Sequence, residues 1–171
     1  MNLRLITAVL AAALFATPTS LQANTLQVSD SQKLRALRIK LHTATADVTQ
    51  ALNAAVEFRN QSVGDCLGQI HQRASSVENT AAGAGSLVAL GVMMADHSDE
   101  ILVLRELRVW LTELTKELAF ARQLINGTMS SCSTSATVNV KGQAVLNVLS
   151  ELNDPIASLS RRVEQAIPPR Q

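Results

Sequence analysis

Residues 100–126 read EILVLRELRVWLTELTKELAFARQLIN. Within them Leu104, Leu107, Leu111, Leu114, Leu118, Ala121 and Ile125 recur at alternating spacings of three and four. That period keeps one apolar stripe on one side of an α-helix, whereas a strand would need strict alternation. Ser98 opens the segment, Asp99 and Glu100 stand in its first turn where the helix dipole favours acids, and Gly127 offers a stop.

The same spacing appears three more times. Leu34, Leu37, Leu41, Ala44, Val48, Ala51, Ala55 and Phe58 form the first stripe, with Ser29 and Gln32 as a capping box. The second runs through Val63, Leu67, Ile70, Ala74, Val77, Ala81, Ala84 and Val88, ending near Asp96. The last comprises Val145, Leu149, Leu152, Ile156, Leu159, Val163 and Ala166, before Pro168-Pro169. Thr137-Val138-Asn139-Val140 alternates like a strand but has no partner, so it is expected as an extended lead-in. Pro155 interrupts the fourth stripe without shifting its phase, which predicts a kink or a restart capped by Asp154. The predicted helices span about 30–60, 63–96, 98–127 and 141–167. The short connections near 60–63 and 96–98 join only antiparallel neighbours, so the expected fold is an all-α, up-down-up-down four-helix bundle.

Upstream, residues 1–23 carry Arg4, the apolar run 5–16 and a polar stretch around Pro18-Thr19-Ser20. This is the pattern of a secretory signal peptide with cleavage after Ala23, and the run is too short to span a membrane. The mature single domain is then 24–171. Removing Arg4 brings the 15 basic residues level with the 14 acidic ones. The neutral mature chain has no general field to draw nucleic acid, and with Tyr absent and Phe58, Trp110 and Phe120 the only aromatics of residues 24–171 it lacks stacking platforms.

Export gives the two cysteines meaning. Cys66 near the start of the second helix and Cys132 after the third fall at the same end of the bundle, which predicts a disulfide. His42, His71 and His97 fall at separate heights, and C-x-x-C-H, H-E-x-x-H and E-x-x-H are all absent. Met93, Met94 and Met129 read as filler or exposed thioethers. No metal or cofactor is expected. Asp96-His97-Ser98-Asp99-Glu100 reads as an acid-rich helix start, and Glu113 with Glu117 as solvated surface. None of these places a nucleophile beside a base, so an enzyme is not expected. Asn60-Gln61-Ser62 and Asn126-Gly127-Thr128 are glycosylation sequons near the cysteine end, relevant only to a eukaryotic source.

Two features exceed what a bundle needs. Residues 79–95 carry no charge and include Ala81-Ala82-Gly83-Ala84-Gly85-Ser86, too rich in Gly and Ser to span a membrane but able to admit a close neighbour. In an antiparallel pair Trp110 comes level with Gly83, Ala84 and Gly85. The indole either fills that space or borders an apolar groove. The second feature is basic: Lys33, Arg35, Arg38 and Lys40, joined at the same end by Arg161 and Arg162. Either Asp96, Asp99 and Glu100 at that end neutralise them, or they form a patch for an anionic partner.

Secreted four-helix inhibitors of plant cell-wall enzymes are similar in broad plan, with signal peptide, bundle and disulfide. They carry a further cysteine-paired hairpin that this chain lacks, so their function is not carried over. The sequence is therefore read as an exported, periplasmic or secreted, non-catalytic bundle that binds another protein or has a structural role. A carrier of a small apolar ligand or haem is the alternative.

Overall fold

The computed structural model describes residues 26–168, so the expected signal segment 1–23 lies outside the described residues. Among the described residues five helices follow one another: α1 Val28–Glu57, α2 Gln61–Met93, α3 Glu100–Ser131, α4 Ala136–Glu151 and α5 Asn153–Ala166. The last two form one arm. α1 packs on α2, α2 on α3, α3 on both α4 and α5, and α4 returns to α1, which is an up-down-up-down four-helix bundle.

The stripes meet along the axis. Leu41 and Val48, Ile70 and Val77, Leu107 and Leu114, and Leu149 and Leu159 are all buried. Burying each such side chain contributes about 1.5–3 kcal/mol, so tertiary packing outweighs local propensity. Cys66 and Cys132 are bonded to each other at the end where α1 turns into α2, with Cα atoms 6.6 Å apart.

Several helix boundaries differ from the sequence reading. α1 begins at Val28, and the acid that caps it is Asp30, whose Oδ2 accepts from the Gln27 N–H at 2.8 Å, in place of the expected Ser29 and Gln32 pair. α2 stops at Met93, before Asp96, and α3 starts at Glu100. α3 continues past Gly127 to Ser131 because Thr128 is buried, and its Oγ1 donates to Gln69 Oε1 at 3.0 Å. Partners across the bundle thus offset the loss of roughly 1 kcal/mol that a helical glycine incurs.

The expected lead-in 137–140 is helical. Ser135 caps α4 by accepting the Val138 N–H, and Val138, Gly142, Val145 and Leu149 extend the buried stripe. Four residues of alternation fit that helix face as well as a strand. At Pro155 the helix restarts at Leu152, which keeps right-handed helical angles and so preserves the phase of the stripe. Asp154 lies in the first turn of α5, where no side chain makes the capping bond.

The first stripe loses its last member. Phe58 was expected in the core, yet it is 83% exposed. The reason is backbone geometry: Arg59 adopts φ 53°, its N–H donates to Val56 O, and the Asn60 N–H donates to Ala55 O. These two bonds make a Schellman ending that swings Phe58 outward.

Candidate functional site

The small residues 81–86 divide three ways, because successive helical side chains turn by about 100°. Gly83 faces α3, where the Trp110 ring occupies the space of a side chain: a Cβ on Gly83 would stand 2.7 Å from Trp110 Cε3. The indole N–H is satisfied by Glu106 Oε1 at 3.0 Å. Ala84 points into the core and is fully buried. Gly85 faces α1, and a Cβ there would meet nothing within 4 Å. The four residues Gly83, Ala84, Gly85 and Trp110 therefore do not line one groove.

Gly85 instead opens into a furrow of about 330 Å³ between α1 and α2. Its floor is Ala81, Ala82 and Ala89 of α2 with Leu34 of α1, and Arg35 and Arg38 stand on the α1 wall. Leu34 and Ala81 are buried, while both arginines are exposed.

The expected basic patch resolves into separate roles. Arg162 clasps Asp30 with two hydrogen bonds, Nη1 to Oδ2 at 3.0 Å and Nη2 to Oδ1 at 2.7 Å, tying α5 to the start of α1. Burial pushes the Asp30 carboxyl up, but the Arg162 hydrogen bonds, the Gln27 N–H and the Arg162 and Lys33 charges together hold it below its ordinary value. Lys40 pairs with Glu151 at 2.6 Å. Arg161 Nε donates to Ala157 O, and Lys33 borders a hollow beside Asp154 and Ser158. Among the described residues, Arg35 and Arg38 are in no ion pair. The acids near residues 96–100 pair with none of these side chains; Asp30 and Glu151 neutralise Arg162 and Lys40 only.

The remaining polar candidates are occupied locally. His42 Nδ1 meets Glu78 Oε1 at 2.9 Å, and Glu100 Oε2 accepts the Asp96 N–H. Glu113 pairs with Lys116. Glu117 is not solvated surface as expected: it is half-buried and accepts from Ser76 Oγ at 3.1 Å across to α2. Asn60 caps α2 through Val63 N–H, and the second sequon has its Thr128 buried. Among the described residues no three His, Cys, Asp or Glu side chains gather closely enough to hold a metal ion. No helix among them is long and apolar enough to cross a membrane.

Sequence reasoning missed the apolar turn of Val56 and Phe58 beside a hollow formed by Leu52, Ala55 and Gly64. The left-handed Arg59 turns Phe58 out beside Val56, and nothing in that residue type announces such a conformation. No protein-family profile, curated protein or solved structure matches the chain.

Proposed function

We propose that the chain is an exported, non-catalytic helical bundle that acts by binding another protein along the furrow between α1 and α2. The single observation that carries this reading is the juxtaposition of Gly85 with Arg35 and Arg38. It joins open space over a floor of small side chains to two guanidinium groups without ion-pair partners among the described residues. Among the described residues Arg108 and Arg162 alone of the arginines are ion-paired, so what sets Arg35 and Arg38 apart is that they stand together on one wall of the furrow. Leaving two unmatched beside a gap gives the surface both shape and charge to offer a partner.

Export is part of the proposal and rests on the leader pattern of residues 1–23 with the Cys66–Cys132 bridge. The test is purification from the chain's own cell, with N-terminal sequencing and native mass measurement. The expected result is a chain beginning at Asn24 that carries a protein partner, lost in Gly85→Leu at unchanged Tm. A Soret band or a stoichiometric small-molecule adduct would instead support a carrier.

A further inference from the structure

Because the furrow is bounded by two helices, its walls have their backbone N–H and C=O groups already paired within α1 and α2. An extended peptide laid there would find no backbone partners and would lose its own bonds to water. A helix brings its backbone already satisfied. The furrow is also open on its outer side, where Gly85 has nothing within 4 Å of its missing Cβ. A small ligand, which ordinarily buries most of its surface, would stay half uncovered there. A helix about 10 Å across would cover it. The α2 part of the floor, Ala81, Ala82, Gly85 and Ala89, carries nothing larger than a methyl group, so a docked helix seated over α2 could approach to the short end of the usual 8–10 Å axial range.

Charge narrows the occupant further. Arg35 and Arg38 lie three residues apart on one wall, about 4.5 Å along the axis. The opposite wall belongs to the stretch 79–95, which has no charged residue. The complement is a helix with acidic residues on one flank only, three or four positions apart, and small apolar residues on its underside. Nucleic acid fits poorly, since it would meet two cations and no aromatic side chain in the furrow. Resting on the protein-binding reading above, we propose that the α1/α2 furrow is the docking site for an acidic, amphipathic helix of a partner protein.

Fluorescence anisotropy of the folded chain with synthetic helical peptides tests this directly. The probes are alanine-rich peptides of about 18 residues with two Glu at i and i+4, with two Lys at the same positions, or with the two Glu placed on opposite faces. The expected result is selective binding of the one-sided Glu peptide. The double variant Arg35→Glu, Arg38→Glu should weaken that binding by about tenfold or more and should prefer the Lys peptide. Gly85→Leu should abolish both, with helicity and Tm retained. Equal binding of the Glu and Lys peptides, or binding unaffected by Gly85→Leu, would overturn the acidic-helix assignment, as would no binding up to about 1 mM. If in that case Gly85→Leu still released the native partner, the protein-binding reading would stand and only the helix chemistry would fall. Self-association of the chain that vanished in the arginine variant would also overturn the proposal, by making a second copy the occupant.

Discussion

The Trp110 ring lies where Gly83 would carry a side chain, so the two residues form a single packing unit between α2 and α3. Their effects on stability should be coupled. Trp110→Ala is expected to destabilise by about 2–4 kcal/mol, at the lower side of the range for large aromatics because the indole is half-buried. Gly83→Ala alone should destabilise by about 1–3 kcal/mol, since the new methyl group meets the ring. In the Trp110→Ala background the sign should reverse, with Gly83→Ala stabilising by about 0.5–1 kcal/mol through helix propensity. Urea unfolding of the four proteins checks the cycle, and additive effects would refute the coupling.

Arg59 occupies the position of the Schellman ending where glycine is usual. A side chain in left-handed helical geometry costs about 1–2 kcal/mol. Arg59→Gly is therefore expected to raise stability by about 1 kcal/mol, read as a higher denaturation midpoint at an unchanged slope.

The Asp30–Arg162 clasp predicts a pH dependence of definite sign. Asp30 has a folded pKa below its ordinary value of 3.8, so the unfolded chain binds its proton more readily. Its contribution is fully present above the unfolded pKa and is lost as pH falls through the folded one. Asp30→Asn should cost about 1–3 kcal/mol at pH 7, because the Arg162 guanidinium is left half-buried without its carboxylate. That deficit should shrink progressively below pH 3.8, measured by thermal unfolding of both proteins across the acid range.

The Cys66–Cys132 bridge closes a loop of 66 residues, and its removal by Cys66→Ser with Cys132→Ser should cost about 4 kcal/mol in the chain-entropy account. Non-reducing peptide mapping of the wild type, paired with unfolding of the double variant, checks both the link and its size.

Most of the architecture was legible in the sequence because the four stripes hold their phase over many turns, and the topology they imply brings Cys66 and Cys132 to one end, where they are bonded. Boundaries were less legible for identifiable reasons. Thr137-Val138-Asn139-Val140 satisfies two periods at once, and only Ser135 capping and burial of Val138 select the helix. Gly127 resembles a stop, yet Thr128 anchors the helix beyond it through Gln69. Phe58 has the right spacing for the core and is expelled by the next residue's backbone. At the site, Gly83 and Gly85 looked like one patch. Residues two positions apart on a helix are separated by about 200°, so one is filled by Trp110 and the other left open beside Arg35.

That open glycine permits the most direct measurement of the central claim. Gly85 and Gly127 are both helical glycines with nothing within 4 Å of a built Cβ, but only Gly85 lies in the α1/α2 furrow. A photo-crosslinking amino acid placed at half-buried position 85 or at exposed position 127, with irradiation in the chain's own cell, compares two sites that both have room for a side chain. The account predicts a discrete protein adduct from position 85, lost when Arg35 and Arg38 are both replaced by Glu, and none from position 127. Adducts of the same identity and yield from both positions, or none from position 85, would contradict it.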